Sequence, residues 1–286
     1  MDRFVVVTGA TGQQGGAVAK HLLAQGWPVR ALTRDATAPK ARALATAGAE
    51  VVEGTFEDEA TIDRYLEGAY GLYIVHPGPI SPDQDEIRAG KLLADAAAKR
   101  DVAHIVYSSA LGADRIGGEK WEIEQHLTAL GVSATILRPS SFMENLYTQS
   151  ETVGVHSGAL RTALAPHIRQ QFIALDDIGA IATRAFTDPP RFRARTLELV
   201  GDALTPPEVA AKLTAAVGHP VPYRQRSIED LRRINERFAR GYELLNSTDG
   251  TIPDVDISEL RSLHPDLMNF DTWLQRTGLE LLRPLL

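Results

Sequence analysis

Hydrophobic runs alternate with segments of helical periodicity along the first 140 residues. The opening run Phe4–Val7 is continuous, β-branched and aromatic, as in a strand buried on both faces of a parallel sheet. Similar runs predict strands over Val29–Thr33, Glu50–Val52, Gly71–Val75 and His104–Tyr107. The segments between them predict helices at about 18–26, 39–47, 59–66 and 85–99. This alternation predicts an α/β protein with a doubly wound parallel sheet, whose ligands lie at the carboxyl ends of the strands.

Four glycines stand between the first strand and the first helix, in the segment "TGATGQQGG". Three of them have the spacing G-x-x-G-x-x-G, which permits a tight turn and brings the backbone close to a pyrophosphate. The helix that follows presents its N-terminal N–H groups to that negative charge. We therefore predict a dinucleotide site in this loop, formed by Gly9, Thr11, Gly12, Gln13, Gln14 and Gly15. The alternative is a strand-to-helix turn without a ligand.

The second strand ends at Arg34, where an acidic residue would accept hydrogen bonds from a ribose 2′-hydroxyl. A guanidinium at this position suits a 2′-phosphate, which it can bind with two hydrogen bonds. The cofactor is therefore predicted to be NADP(H), with NAD(H) as a second possibility because Asp35 follows directly. Lys40 is a further candidate for this pocket, and the alternative for Arg34 is a solvated loop charge.

A lysine stands at the start of a second informative helix, in the segment "GGEKWEIEQHLTALG". Lys120 shares a face with Ile123 and Leu127, so it points toward the sheet. It also lies in the first turn, where the helix dipole disfavours a cation. A ribose, a phosphate or a substrate oxygen would compensate this cost. The alternative is an ion pair with Glu124 in the weaker i,i+4 orientation.

Composition limits the classes of function. Hydrophobic residues make up 44% and charged residues 23% of the 286 residues, as in a globular protein with a full core. The net charge of -7 gives no basic surface for nucleic acid or for an anionic membrane. Cysteine is absent, and no pair of histidines has metal-ligand spacing, so no metal site is predicted. With no signal peptide or spanning segment in the sequence, a cytoplasmic location is expected.

Beyond about residue 140 the pattern becomes mixed, which predicts a smaller α/β lobe. We place an NADP-binding domain at 1–140, with segments around 170–186 returning to it, and a mainly substrate-binding lobe at 141–286. Helices are predicted in this lobe over Ser227–Leu245, Ile257–Leu263 and Asp271–Thr277. Irregular loops of such a lobe set specificity, so the sequence does not name the substrate.

Several polar residues are open to two interpretations. Ser108 and Ser109 follow the fifth strand and either hydrogen-bond a ligand or cap a helix. Asp176 and Asp177 are interpreted as helix caps. Glu144 and Asn145 are interpreted either as cleft contacts or as helix caps.

Motifs along almost the whole chain resemble those of the NmrA-like family of atypical short-chain dehydrogenases. They are "TGATGQQG", "TRD", "HIVYSSALGAD", "EKWEIEQHLTALGVSATILRPSSFMEN" and "HPDLMNFDTWLQRTG". The resemblance implies a Rossmann domain that binds NADP(H) along Gly9 to Gly15 and at Arg34. It also implies a C-terminal domain that closes a cleft over the nicotinamide, with Pro139 and Phe142 at the nicotinamide end. Lys120 matches the lysine of the related isoflavone reductase-like proteins.

Three positions depart from the family pattern. Ile116 stands where ordinary short-chain dehydrogenases have the tyrosine that donates a proton, four residues before the lysine, and Tyr107 lies on a strand. Thr55 replaces a frequent aspartate, which transfers adenine recognition to Phe56 by stacking. His76 replaces a threonine after the fourth strand, where it either contacts the cofactor and acts as a general acid or base, or packs in the loop.

Two functions follow from these observations. The first is an NADP(H)-dependent oxidoreductase, with Lys120 and His76 as catalytic candidates. It would act on a quinone, carbonyl or aromatic small molecule, including the tailoring of an aromatic natural product. The second is a non-catalytic NADP(H) redox sensor that acts through a protein partner. The chain is expected to be a monomer or a homodimer.

Overall fold

A computed structural model describes residues 3–55, 59–76, 85–148, 153–247 and 255–286. The chain forms two compact units. Unit 1 comprises Met1–Pro139 and Leu175–Leu199, and unit 2 comprises Ser140–Ala174 and Val200–Leu286. The segment that returns to unit 1 therefore begins and ends later in the chain than the 170–186 expected from the sequence.

Unit 1 is built on a parallel sheet of seven strands in the described residues, and strands are numbered in chain order through both units. They are β1 (Val5–Val7), β2 (Val29–Thr33), β3 (Glu50–Glu53), β4 (Gly71–Ile74), β5 (His104–Ser108), β6 (Ala134–Pro139) and β11 (Arg195–Leu199). Their order is β11-β6-β5-β4-β1-β2-β3. The direction of winding reverses between β1 and β4, so the crevice at the carboxyl ends of these two strands is the expected ligand site. The predicted fold class is confirmed.

Helices separate these strands along the chain. They are α1 (Gln13–Ala24), α2 (Pro39–Thr46), α3 (Glu59–Leu66), α4 (Glu86–Lys99), α5 (Ala113–Ile116), α6 (Glu119–Leu130), α8 (Leu175–Thr187) and α9 (Pro189–Phe192). Apolar side chains from α3, α4 and α6 pack with β1, β4, β5 and β6 in one hydrophobic core. Helix α8 lies against α1 so closely that a Cβ atom on Gly179 would stand 2.8 Å from the carbonyl oxygen of Ala17. Glycine at this position therefore permits the contact between the two helices.

The buried face of α4 differs from its predicted pattern at one position. Spacing places Ile87 on the face shared by Gly90, Leu93 and Ala97, but Ile87 is only half-buried. Glu86 is buried in its place. A carboxylate thus lies on an otherwise apolar helix face.

Unit 2 contains two small sheets. Its strands are β7 (Ser141–Phe142), β8 (Gly154–His156), β9 (Ala159–Thr162), β10 (Gln170–Ile173), β12 (Asp202–Leu204) and β13 (Tyr223–Gln225). In the described residues, one sheet has the order β12-β10-β7 and the other β13-β9-β8. The helices are α7 (Asn145–Thr148), α10 (Pro206–Val217), α11 (Ile228–Ile234), α12 (Glu236–Ser247), α13 (Ser258–Leu263), α14 (Phe270–Trp273) and α15 (Leu279–Leu282).

The helical region predicted over Ser227–Leu245 consists of two helices, because Asn235 ends α11 in an extended conformation. The Asn235 side chain then accepts a hydrogen bond from the Phe238 N–H, at 3.0 Å, and so caps the start of α12.

The last predicted helix is also interrupted. A π-helical turn, Leu274–Gly278, separates α14 from α15. Gly278 lies against the fully buried ring of Trp273, where a Cβ atom would stand 2.6 Å from the ring.

No helix in the described part of the chain is long and apolar enough to cross a membrane.

Candidate active site

The glycine loop follows β1 at the point where the sheet reverses its winding. Gly9 has a φ of +57°, and its carbonyl accepts the Gly12 N–H at 2.8 Å. A Cβ atom on Gly15 would stand 2.3 Å from the Gly9 carbonyl oxygen. The turn therefore requires glycine, and it starts α1 at Gly12, which has no side chain to cap the helix. This bare N-terminus fits the diphosphate of a dinucleotide.

Two side chains hold this end of the sheet together. The Thr8 hydroxyl bridges the Tyr73 and Val75 carbonyls at 3.1 Å each, which ties the end of β1 to β4. Ser108, fully buried, donates its hydroxyl to Gln14 Oε1 at 2.7 Å. The Ser108 hydroxyl and the Gln14 amide oxygen therefore bind each other, which ties the glycine loop to the end of β5.

The end of β2 carries an exposed cation. Arg34 is exposed, and in the residues that the structure describes it has neither a hydrogen bond nor an ion pair. The neighbouring Asp35 instead accepts from the Thr37 hydroxyl at 2.6 Å and from the Thr37 N–H at 2.8 Å. These hydrogen bonds hold the pKa of Asp35 below its usual value. Arg34 is thus available to an anion, whereas Asp35 is engaged by its own loop.

Three further residues are considered for the adenosine end of the cofactor. Lys40 is exposed in the first turn of α2, and Thr55 is exposed two residues after β3. Phe56, the predicted stacking residue, lies outside the described residues.

Lys120, in the first turn of α6, finds a partner that its own helix does not supply. Its Nζ atom donates to Glu86 Oε1 at 2.6 Å and approaches the Ser108 carbonyl oxygen at 3.5 Å. The Glu86 side chain is 3% exposed and that of Lys120 is 21% exposed. The alternative ion pair with Glu124 is wrong, because Glu124 binds other groups. The Glu86 carboxylate offsets the unfavourable interaction of the Lys120 cation with the dipole of α6.

His76 joins the same cluster from the end of β4. Its Nδ1 atom lies 4.0 Å from Glu86 Oε2, and its side chain is 7% exposed. Burial lowers the pKa of His76, and the Lys120 cation acts in the same direction while Glu86 opposes it. The imidazole is therefore neutral near pH 7. We call His76, Glu86 and Lys120 the carboxyl-end cluster, since all three lie where β4 and β5 end.

The position of the missing tyrosine holds no proton donor, and Tyr107 is not placed to replace it. Ile116 is 65% exposed. Tyr107 is buried in the hydrophobic core, and its hydroxyl has no hydrogen-bond partner among the described residues. Burial raises the pKa of Tyr107 well above its usual value. The Lys120 ammonium lies 5.9 Å from the centre of this ring, so it contacts the face of Tyr107 rather than its hydroxyl.

A second ion network is built around Glu124, a buried carboxylate of α6. Arg138 donates to both oxygens of Glu124, at 3.0 and 2.7 Å, and lies 2.9 Å from Asp114 Oδ2. Ser109 also donates a short hydrogen bond to Glu124. The Ser109 hydroxyl therefore neither caps a helix nor faces a ligand in this structure. We call this set the Arg138 network.

The other predicted positions have contacts of their own. Pro139 ends β6 in unit 1, and Phe142 belongs to unit 2. Glu144 is buried and accepts the Trp273 indole N–H at 3.0 Å, so it supports the core of unit 2. Asp176 and Asp177 lie inside the first turn of α8, and Asp176 bonds His21 Nε2 at 2.9 Å. They therefore favour the helix through its dipole rather than as caps.

Unit 2 contains a pocket with a largely apolar wall. Phe142, Leu146, Phe172 and Val209 supply apolar surface, and Asn145, Thr162, Gln170 and Tyr242 add polar groups. Ligand pockets commonly combine an apolar wall with a few polar groups in this way.

Glu86 is the functional candidate that sequence reasoning missed. A signal was present, since Glu86 lies four residues before Gly90 and seven before Leu93 on the apolar face of α4. A carboxylate on such a face indicates a buried partner. That partner, Lys120, is 34 residues away, beyond the range of helical spacing rules.

The sheet order and the glycine loop at its reversal point define the class of this protein as a dinucleotide-binding Rossmann protein. The chain belongs to the NmrA-like family, whose family model matches residues 1–274.

Relatives of the chain are reductases. It is 31% identical over 236 residues to the (4-alkanoyl-5-oxo-2,5-dihydrofuran-3-yl)methyl phosphate reductase of Streptomyces griseus, covering 80% of this chain and 79% of the relative. It is also 31% identical over 235 residues to the NAD(P)H azoreductase of Xenophilus azovorans, with the same coverage.

Solved structures agree with the fold. The NADPH complex of quinone oxidoreductase QOR2 from Escherichia coli has a TM-score of 0.70 and 27% identity, covering 86% of this chain and 88% of that one. NmrA, a negative transcriptional regulator, in complex with NADP has a TM-score of 0.83 and 20% identity, covering 100% and 99%. The predicted family and nicotinamide cofactor are confirmed, and a general NAD(P)H oxidoreductase role is supported.

Proposed function

We propose that the chain is an NADPH-dependent reductase of planar, conjugated small molecules, with quinones and aromatic carbonyl or azo compounds as the substrate class. The observation that carries this proposal is the carboxyl-end cluster, a partly exposed ammonium held by a buried carboxylate at the ligand-binding end of the sheet. The relatives act on a furanone, an azo compound and a quinone, to judge from their names. All three are conjugated electron acceptors.

The bound cofactor would supply a hydride from the nicotinamide C4. The residues of the chain bind the cofactor, orient the acceptor and supply the proton. The Gly9–Gly15 loop and the start of α1 hold the diphosphate, and the free guanidinium of Arg34 selects the 2′-phosphate of NADP(H).

Lys120 would donate a hydrogen bond to the oxygen or nitrogen of the acceptor. As the acceptor takes up hydride, this atom gains negative charge, which the fixed ammonium stabilises. The ammonium also holds the proton that the atom takes up, so hydride and proton together complete the reduction. Glu86 orients the Lys120 ammonium through their hydrogen bond, and His76 lies beside the same carboxylate as a second proton-transfer group.

A redox sensor is the second candidate. The buried, unpartnered hydroxyl of Tyr107 and the exposed Ile116 favour it, because they leave the protein without the usual proton donor among the described residues. A sensor would bind NADP and NADPH with different affinity, or couple their binding to a protein partner, without consuming either.

One experiment separates the two candidates. The protein is titrated with NADPH, NADP, NADH and NAD, and absorbance of the reduced nicotinamide is followed with a panel of quinones, azo dyes and aromatic ketones. We expect tighter binding of NADPH than of NADH, and NADPH oxidation by at least one acceptor. Tight binding without turnover across the panel would favour the sensor.

Lys120→Ala tests the assigned role. We expect a loss of about 10² to 10⁴ in kcat, as for other positioned proton-transfer groups, with the NADPH dissociation constant largely unchanged. Lys91→Gln on α4 is the matched control, since its ammonium forms an exposed pair with Glu122. Unchanged turnover in Lys120→Ala would overturn the role of Lys120.

A further inference from the structure

A basic depression lies on the surface of unit 2. Its walls are formed by Arg161, Arg224, Gln225, Arg226 and Asp230. Three guanidiniums and one carboxylate thus meet in a protein whose net charge is -7. We call this feature the arginine depression.

Two of these arginines are forced together by the backbone. Strands β9 and β13 pair in parallel, and their register sets Arg161 directly beside Arg224. Side chains at paired positions lie on the same face of a sheet, and like charges placed so are destabilising. This arrangement costs free energy unless a negative charge lies near both.

Among the described residues, the carboxylate of Asp230 lies in the same wall, but it forms no ion pair with Arg161 or Arg224. The Nε atom of Arg161 is buried without a hydrogen-bond partner, and neither Arg161 nor Arg224 forms an ion pair within the described ranges. Asp230 is engaged elsewhere, because it accepts from Ser227 at 2.7 Å and from Arg233 at 3.2 Å. Within the described ranges, this pair of cations therefore has no assigned anion.

The arginine depression is separate from the apolar pocket of unit 2. Leu160 and Thr162 line the apolar pocket, whereas Arg161, between them on β9, lines the depression. Successive side chains of a strand point to opposite faces, so the paired Arg161 and Arg224 lie on the opposite face of the β13-β9-β8 sheet from Leu160 and Thr162. An anion bound by the arginines does not occupy the apolar pocket.

We propose that the arginine depression binds a phosphoryl group of a small molecule. Guanidinium groups match the oxygens of phosphate with pairs of hydrogen bonds, and the charge-assisted contacts are the strong ones. The half-buried Arg161 and the concave wall favour a small oxyanion over an acidic protein segment. The site does not depend on the proposed reductase activity.

Isothermal titration with inorganic phosphate tests this proposal, at constant ionic strength and with NADPH saturating so that the glycine loop is occupied. We expect saturable binding that weakens at least tenfold in Arg161→Gln. The matched control is Arg240→Gln, whose guanidinium pairs with Glu236 on α12 outside the depression. Lack of saturable binding, or equal binding by Arg161→Gln, would overturn the proposal.

Thermal unfolding provides a second measurement. A purely structural role of Arg161 would not make the Tm depend on phosphate. We expect phosphate to raise the Tm of the wild type and of Arg240→Gln, but not that of Arg161→Gln. Without phosphate, Arg161→Gln should be at least as stable as the wild type, since a like-charge contact is removed. Arg224→Gln, at the exposed partner position, repeats the test if Arg161→Gln fails to fold, and an unaltered response to phosphate in it would count against the site.

Phenyl phosphate in the same titration distinguishes the source of the phosphoryl group. Binding equal to that of inorganic phosphate supports a site for phosphate esters. Binding of inorganic phosphate alone supports a site for the free ion.

Discussion

Unit 1 contains two ion pairs with a buried carboxylate, Arg138–Glu124 and Lys120–Glu86. They differ in how many N–H donors of the cation already have a partner. Arg138 has its guanidinium bound on both sides, by Glu124 and by Asp114. The Lys120 ammonium has three N–H donors, of which Glu86 takes one and the Ser108 carbonyl, at 3.5 Å, can take another. A saturated pair holds structure, whereas a pair with a free donor can also bind a ligand.

The largest effect expected from this comparison is on stability. Arg138→Met should lower the free energy of unfolding by about 3 to 5 kcal/mol, because it leaves the Glu124 carboxylate buried without its cation. Lys120→Met should cost less, since Glu86 lies in the first turn of α4, where the helix dipole favours an anion, and has His76 beside it. Urea unfolding of both variants measures the difference. Equal losses would show that the two pairs have the same role.

A second prediction concerns the pKa of His76. Lys120→Met should raise it, since the lysine cation lowers the pKa and the nearby acidic groups Glu86, Glu119 and Asp85 raise it. Because burial holds the folded pKa below the unfolded value, the contribution of His76 to stability is present above about pH 6.5 and is lost as pH falls through the folded pKa. This acid-induced loss should shrink in Lys120→Met.

NMR titration of the histidine ring protons measures this shift. His104 is an internal control, because burial lowers its pKa to about 4 without help from the carboxyl-end cluster. Arg138→Met should leave the His76 titration unchanged. A His76 pKa that is the same in wild type and Lys120→Met would show that the lysine does not act on the histidine.

The smallest effect is expected at an exposed pair between the same two helices. Lys91 on α4 lies 3.4 Å from Glu122 on α6, with side chains 37% and 55% exposed. Lys91→Gln should change the free energy of unfolding by at most about 1 kcal/mol, because solvent screens such pairs. Urea unfolding beside Lys120→Met and Arg138→Met makes the comparison, and a loss as large as theirs would contradict the view that burial sets the cost.

Much of unit 1 is predictable from the sequence because its information is local. The apolar runs predict β1, β2, β4 and β5, and helical spacing places Lys120 in the first turn of α6 on the inner face. The partner of Lys120 is not predictable in this way, since packing of α4 against α6 brings Glu86 to it. Spacing within α6 predicts Glu124 as the partner of Lys120, but Glu124 is bound by Arg138 of β6 instead.

Unit 2 is less predictable because its elements are short and depend on tertiary contacts. Strands β7 and β12 have two and three residues, too few for a periodic pattern. The break at Asn235 could have been inferred from its N-cap chemistry. The π-helical turn at Leu274–Gly278 has no comparable signal, since it depends on the fit of Gly278 against Trp273.

The return of Leu175–Leu199 to unit 1 has a consequence for folding of the protein during translation. When Pro139 has been synthesised, the edge of β6 still lacks its neighbour β11, and the face of α1 still lacks α8. While the first part of unit 2 is translated, β6 therefore forms the edge of the nascent sheet, although it is an inner strand of the finished one. An open strand edge invites pairing with other chains, so slow translation or a stall between residues 140 and 199 should make the nascent chain prone to aggregate.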